Sequence, residues 1–330
     1  MNRIVLSGYY GFNNLGDDAV LEATVAELRR RRPGLQISVL SASPEATARA
    51  YGVDAVPRSR PRAVMRALRA SDLFLSGGGS LFQDRTSWRS PCYYLAVLAA
   101  ARRWGRRTAV YAQGFEPSRR AWVRAALRRV LNRVDLITVR DVASAQVLAD
   151  AGVRGPRVVV SADPSFLLDP KPTPAVERER ARWGGGLLFG LAARPWGDGR
   201  VLEAVAAGAR AAGVRFGARW VLLPMHLPHD LGAAEAIAAR LDGAIVVREP
   251  FSAREMLALA GGLDLLVGMR LHALIFAASQ AVPIVPVAYD QKVAALGDEL
   301  GEERPLSVDD LDAEALAARI GAAAGDRPGG

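Results

Sequence analysis

Residues 263–292 read LDLLVGMRLHALIFAASQAVPIVPVAYDQK, and the rest of the chain is best approached from them. An apolar strand, Leu263–Val267, gives out at Gly268; Arg270 and His272 follow directly, and Ala273–Ser279 reads as a helix of small residues. A second apolar run, Val282–Val287, ends in Tyr289-Asp290-Gln291-Lys292. Two strands that both run out into polar residues across a short helix predict parallel neighbours. Open parallel sheets collect ligands at the carboxyl ends of their strands. Arg270 brings a planar fork suited to phosphate or carboxylate, the helix N-terminus brings amide donors, and Lys292 brings a compact charge on a flexible stem. Together they predict a site for a small, doubly anionic ligand.

Counts of residue types sharpen that reading. Only two of the 43 basic residues are lysines, Lys171 and Lys292, which leaves 41 arginines. A chain that writes nearly all its positive charge as arginine has kept Lys292 for more than solubility. There are three histidines, at 226, 229 and 272. Taken singly, His272 reads as a core histidine in a strand-to-helix turn and Lys292 as a solvated helix start; the functional reading rests on all three residues falling at strand ends.

A length of 330 with 50% hydrophobic residues predicts large cores and two domains. One cysteine, Cys92, excludes an internal disulfide framework and a cysteine-based zinc site, and fits a reducing compartment. The first residues enter a strand with no long apolar leader, and no apolar run approaches bilayer length, so a cytoplasmic protein is expected. The net charge of +9 is uneven. Residues 1–170 carry 26 basic against 14 acidic side chains, and residues 171–330 carry 17 against 20. Any basic partner surface belongs to the first half.

From the N-terminus the pattern alternates. Strands are predicted at Ile4–Leu6, Gln36–Leu40, Asp72–Ser76, Thr108–Ala112, Leu136–Val139 and Val158–Val160. Helices fall between them, at Asp17–Arg31, Pro44–Tyr51, Arg62–Ala70, Tyr93–Trp104, Ser118–Arg133 and Val142–Ala151. Leu168–Ala175, LDPKPTPA, is the predicted linker, with three prolines in eight residues. The alternation then restarts, with strands Leu187–Ala192, Trp220–Leu223 and Ile245–Val247 and helices Arg200–Ala212, Leu231–Leu241 and Ser252–Ala260. It ends in a closing helix at about 313–324. The expected fold is α/β: two Rossmann-like, doubly wound domains, 1–170 and 171–330, facing each other across a cleft. Neither half carries the GxGxxG fingerprint after its first strand, so dinucleotide binding is not favoured.

Three turns stand out. Gly8–Asp18, GYYGFNNLGDD, sets Tyr10, Phe12, Asn14, Asp17 and Asp18 on one strand-to-helix turn. A helix cap by Asp17 accounts for one of the acids but not for the aromatics, and aromatic faces beside amides and carboxylates suit a sugar. Gly77–Asp84, GGGSLFQD, is a second such turn with Gln83 and Asp84. His226-Leu227-Pro228-His229-Asp230 lacks a third histidine nearby, so no metal is expected there, only polar contacts from His226 and Asp230 or a cap by Asp230.

The motifs run in one order: GYYGFNNLGDDA at 8–19, SGGGSLFQD at 76–84, QGFEP at 113–117, VRDVAS at 139–144, ADPSF at 162–166, PMHLPHD at 224–230, GMRLHALIFA at 268–277 and AYDQKV at 288–293. In this the sequence resembles the polysaccharide pyruvyl transferase family, in its bacterial CsaB-like branch. One departure is Gln291, where the family leads one to expect proline before the lysine. The resemblance implies a fold like that of GT-B glycosyltransferases and transfer of pyruvate from phosphoenolpyruvate (PEP) to a sugar diol as a cyclic ketal, with release of phosphate. It implies that Arg270, the backbone of Leu271, His272 and Lys292 hold PEP, with Arg140 adding a cation from the first domain. The implied acceptor is N-acetylmannosamine of a lipid-linked cell-wall polymer precursor, for S-layer anchoring. His272 is then the candidate general acid, and Asp17, Asp18 and Asp84 are candidates to take the acceptor proton. PEP is a co-substrate, and no cofactor, metal or nucleic acid is expected. The alternative is a GT-B glycosyltransferase using a nucleotide sugar. A lipid-linked acceptor, finally, implies peripheral attachment to an anionic membrane through the arginines of 118–133, with Arg60, Arg62, Arg66 and Arg69 as a second patch.

Overall fold

The computed structural model describes residues 2–85, 87–197, 199–301 and 305–325. The chain divides into two compact units, the first ending at Leu167 and the second starting at Leu168. The last stretch of the expected second domain, 326–330, lies outside the described residues.

In the first unit the elements are β1 (Arg3–Ser7), α1 (Leu15–Arg31), β2 (Gln36–Ser41), α2 (Pro44–Tyr51), β3 (Asp54–Pro57), α3 (Pro61–Ala70), β4 (Leu73–Gly77), α4 (Arg89–Arg103), β5 (Arg107–Gln113), α5 (Ala121–Leu131), β6 (Leu136–Val139), α6 (Val142–Asp150) and β7 (Arg157–Val160). Its strands form one parallel sheet in the order β3-β2-β1-β4-β5-β6-β7. Helices cover both faces, so the strands are apolar on both sides. Ile4 and Leu6 pack with Leu21, Val25 and Val39, while Val5 turns to the opposite cluster of Leu68, Phe74, Leu98, Val110 and Ile137. The strand β3 went unread in the sequence because Asp54–Pro57 is short, half-buried and ends in proline.

The second unit contains α7 (Pro174–Trp183), β8 (Leu188–Ala192), α8 (Arg200–Phe216), β9 (Arg219–Leu222), α9 (Leu231–Ala238), β10 (Ile245–Val246), α10 (Ala253–Ala260), β11 (Leu265–Gly268), α11 (Leu271–Ser279), β12 (Ile284–Ala288), α12 (Gln291–Glu299), β13 (Leu306–Ser307) and α13 (Ala313–Gly325). Its parallel sheet runs β10-β9-β8-β11-β12-β13. The two apolar runs of the opening stretch are β11 and β12, paired Leu266 to Ile284 and Gly268 to Pro286.

Counted from its own first strand, each sheet runs third-second-first-fourth-fifth-sixth, the Rossmann order expected, and the first sheet adds a seventh strand beyond the sixth. Strand order reverses between β1 and β4 in the first unit and between β8 and β11 in the second. The loops leaving those strands at their carboxyl ends flank a natural crevice. Described parts of these loops are Gly8–Asn14 and Gly78–Arg85 in one unit, and Ala193–Gly197 and Met269–Arg270 in the other.

Candidate active site

In the second unit β11 ends at Gly268, Arg270 is the N-cap of α11, and Leu271 and His272 are its first two residues. Gly268 permits this tight turn, because a Cβ there would meet the Leu274 side chain at 2.8 Å. The first amides of α11 therefore open at the rim of the sheet, beside a partly buried His272 ring.

Arg270 is held by a buried clamp. Its Nε donates to Asp230 Oδ2 at 2.9 Å, and its Nη2 donates to Asp230 Oδ1. Asp230 is fully buried and also accepts from the amides of Met225 and His226, at 3.2 and 3.0 Å. A fork bound on both prongs and anchored in backbone amides is fixed in orientation. Asp230 thus stands at the N-cap position of α9, but its side chain makes no cap bond; it turns back to the turn before it and to Arg270. It is not exposed to a sugar, which corrects the expectation of an acceptor contact. His226 and His229 stack at 5.3 Å, and His229 Nδ1 lies 3.2 Å from Asp230 Oδ1.

At the end of β12, Asp290 caps α12 through the Val293 amide, and its Oδ2 lies 2.8 Å from Lys292 Nζ. Lys292 also lies 5.3 Å above the Tyr289 ring. The same ring packs against Trp196, and the Arg194 guanidinium lies 4.6 Å from its centre. Arg194 and Trp196 were missed in the sequence. The signal was present, since Arg194-Pro195-Trp196 follows the end of β8 as Met269-Arg270 follows β11.

The rim of the first unit is differently made. Tyr10 is buried, and its hydroxyl donates to the Gly77 carbonyl at 3.0 Å, joining the two loops across the strand reversal. This corrects its assignment as a sugar contact: the ring belongs to the core. Tyr9 and Phe12 stack at 4.1 Å, and the Arg58 guanidinium lies 5.1, 4.4 and 5.2 Å from the rings of Phe12, Tyr93 and Tyr94. The aromatic residues of the loop therefore pack largely on one another and on Arg58. Asn14, not an aspartate, caps α1, accepting from the Gly16 amide at 3.2 Å.

Asp17 and Asp18 lie in the first turn of α1. Gly79 has φ +63°, and a Cβ on it would lie 2.7 Å from Asp17 Oδ1, so Asp17 sits directly against the glycine turn. Burial and then the charge of Asp17 push the Asp18 carboxyl up to about 7, against a smaller opposing effect of its bond with Tyr51. Gln83 accepts from the Arg85 amide at 2.8 Å. Asp84 is buried and accepts from the amides of Arg119 and Arg120 at 2.9 and 3.0 Å. Burial raises its carboxyl, but those amides and Arg120 outweigh it and hold the pKa below the usual range. Asp84 starts α5 rather than facing a ligand, which corrects both roles foreseen for it. It also explains why that helix begins at Ala121 instead of Ser118.

Several motifs meet at Arg140, which is buried. Its Nε donates to Asp141 at 3.2 Å, its Nη1 lies 3.7 Å from Asp163, and its Nη2 reaches Ser80 Oγ at 3.5 Å. A Cβ on Gly114 would overlap the guanidinium. Asp141 caps α6 through the Ser144 amide, Ser144 Oγ accepts from the Phe115 amide, and Ser165 donates to Asp163. The runs 76–84, 113–117, 139–144 and 162–166 are thus one network around a charge matched by two carboxylates.

Among the described residues no group of three or more His, Cys, Asp or Glu is placed to hold a metal, and no helix is long and apolar enough to cross a membrane.

Residues 14–291 match the family model described as polysaccharide pyruvyl transferase. Lys292 lies one residue past that span. A comparison with curated proteins gave no match. Among solved structures, the UDP-GlcNAc 2-epimerase of Methanocaldococcus jannaschii is similar with a TM-score of 0.67 at 11% identity, over 99% of this chain and 93% of that one. A putative UDP-N-acetylglucosamine 2-epimerase from Listeria monocytogenes gives 0.63 at 13%, over 99% and 89%. Anabaena HepE in complex with UDP-glucose gives 0.62 at 14%, over 97% and 89%. At such identities the likeness is one of fold, and that fold is GT-B-like.

Proposed function

Since the chain belongs to the polysaccharide pyruvyl transferase family and is a transferase, we propose that it moves pyruvate from PEP onto a sugar diol as a cyclic ketal, releasing phosphate. The observation that carries the reading is the turn at the end of β11, within the matched span. There a clamped Arg270 fork, the opening amides of α11 and His272 adjoin one another. PEP carries close to three negative charges, and convergent cations and amides suit it.

In this reading Arg270, the Leu271 amide and Lys292 hold the donor. His272 gives a proton to the methylene carbon, which becomes the methyl group, and C2 turns electrophilic. One sugar hydroxyl attacks C2, the C2–O bond to phosphate breaks, and the second hydroxyl closes the ketal. The diol gives up two protons; one balances that taken by the methyl group and the other leaves with phosphate. Asp17 is the base for the acceptor, because Asp18 beside it holds a proton to about pH 7. Arg140 is a buried, carboxylate-matched cation, so it acts in shaping the rim rather than as an open charge.

The acceptor is proposed to be N-acetylmannosamine in a lipid-linked cell-wall precursor, as for the CsaB-like branch, with the enzyme working in the cytoplasm at the inner membrane face. The reading as a nucleotide-sugar glycosyltransferase has only the fold in its favour. Incubation with PEP and a β-N-acetylmannosaminyl acceptor should release phosphate and add a ketal mass to the sugar. Absence of PEP turnover with every diol-bearing sugar, combined with stabilisation by UDP-sugars, would overturn the assignment.

A further inference from the structure

Four cations stand at the strand ends on which this reading rests, and three are matched by carboxylates. Arg270 is clamped by Asp230, Lys292 pairs with Asp290, and Arg140 lies between Asp141 and Asp163. The fourth is Arg194, which has no part in the function proposed above. Among the described residues no carboxylate pairs with Arg194, and its buried Nε has no hydrogen-bond acceptor.

The position of Arg194 is set by the sheet. Ala192 pairs with Gly268 across β8 and β11, and the Met269 amide donates to the Ala192 carbonyl at 2.9 Å. Arg194 and Arg270 each stand two residues beyond that pair, on the two strands between which the order reverses. Aromatic rings support the Arg194 guanidinium: its Cζ lies 4.6 Å from the Tyr289 centroid and 5.8 Å from that of Trp196, and the two rings are 5.0 Å apart. Stacking occupies the face of a guanidinium and leaves its N–H edge for an in-plane acceptor. Lys292 Nζ lies 5.3 Å from the same Tyr289 ring. Among the described residues no carboxylate matches the Arg194 charge, which an anion would complete.

We propose that Arg194 binds an oxyanion of the donor, either its phosphate or its carboxylate, and fixes the donor beside Arg270. This rests on the reading of the donor as PEP. Tyr289 and Trp196 are positioning residues that hold the guanidinium in plane.

The test is calorimetric titration of the wild type, Arg194→Gln and Arg194→Lys with PEP, inorganic phosphate and pyruvate, with thermal melts to verify folding. Arg194→Gln should melt like the wild type and bind PEP about tenfold more weakly or worse, the size of one lost charge-assisted bond. Arg194→Lys should recover part of the loss. In turnover, KM for PEP should rise more than kcat falls. A loss seen with phosphate and not pyruvate assigns the phosphate end; the reverse assigns the carboxylate. PEP binding within about twofold of wild type in folded Arg194→Gln would overturn the proposal. So would a wild type that binds none of the three. A wild type that binds PEP in an Arg194-dependent way but never transfers pyruvate would leave the anion site standing and refute the pyruvyl transfer instead.

Discussion

The two units share a strand order and differ in what they set at its reversal. At the β8/β11 rim, Arg194 and Arg270 stand on short turns and His272 in the first turn of α11, with Lys292 in the first turn of α12 after the neighbouring β12. At the β1/β4 rim stand Asp17, Asp18, a glycine turn and stacked aromatic rings, and the nearby cation Arg140 is buried among carboxylates. The same topology thus presents a cationic rim in one half and an acidic, aromatic one in the other. A parallel sheet supplies loops at its carboxyl ends, and the side chains written on those loops decide what is bound. A trianionic donor suits the first rim, and a neutral polyol suits the second.

The contrast breaks most readily at His272. His272→Ala should lower phosphate release from PEP by about two to four orders of magnitude, the range of a lost general acid, with PEP still bound. Asp17→Asn should likewise depress turnover while leaving PEP affinity unchanged. If Asp17→Asn abolished PEP binding and His272→Ala left turnover intact, the division of labour between the rims would be wrong.

The next effect is on stability. Arg270→Ala removes the partner of a fully buried carboxylate, and breaking such a pair costs about 3–5 kcal/mol. The variant should therefore melt well below the wild type as well as lose PEP. The double variant Arg270→Met/Asp230→Leu should regain stability without regaining PEP binding. If it bound PEP like the wild type, Arg270 would have no donor role.

How much of this was legible is clear from particular residues. Strand ends were readable at β11 and β12 because the apolar runs stop at Gly268 and Ala288, with Arg270 and Asp290 two residues on. That signal placed Arg270 and His272 at a sheet rim. It could not say that Asp230, 40 residues away, lies beneath Arg270, since a carboxylate's partner is a matter of tertiary packing. Tyr10 and Asp84 show the same limit from the other side. Both sit in loops whose composition suits a ligand, yet one is a core ring tied to Gly77 and the other the anchor of α5. Loop composition reports which groups are available; which of them the fold consumes depends on contacts with distant chain. Short edge strands such as β3 and β13 fell below the length at which periodicity is readable.

A smaller effect concerns pH and the acidic rim. The folded Asp18 pKa of about 7 lies above its ordinary value of 3.8, so the folded state holds that proton more tightly than the unfolded chain. The stabilisation is complete below about pH 4 and is lost as pH rises through about 7. The melting temperature of wild type relative to Asp18→Asn should fall over that window. A constant difference between the two proteins across it would mean that Asp18 is ionised throughout and that the rim is more acidic than argued.

The smallest effect tests whether the basic character of the first unit is a surface property separate from the acidic rim. Arg119, Arg120, Arg124, Arg128, Arg129 and Arg133 are all exposed, while Val123, Leu127 and Leu131 turn inward. Trp122 is 49% exposed and meets Trp88, itself 47% exposed, at 6.1 Å. Exposed tryptophan among arginines suits an anionic interface, where indole rings settle at the headgroup level. Arg120 is engaged with the Asp84 carbonyl and Arg124 with the Ser118 carbonyl, so substituting either would also disturb the loop. Arg128/Arg129/Arg133→Ser avoids those two bonds. At about 1 kcal/mol for each arginine near the surface, three substitutions should weaken sedimentation with anionic vesicles by about a hundredfold and leave turnover of a soluble acceptor unchanged. Salt should weaken the wild type in the same direction, because the attraction is screened within about a nanometre. Equal sedimentation of both proteins would remove the helix from the contact and leave Arg60, Arg62, Arg66 and Arg69 as the patch to test.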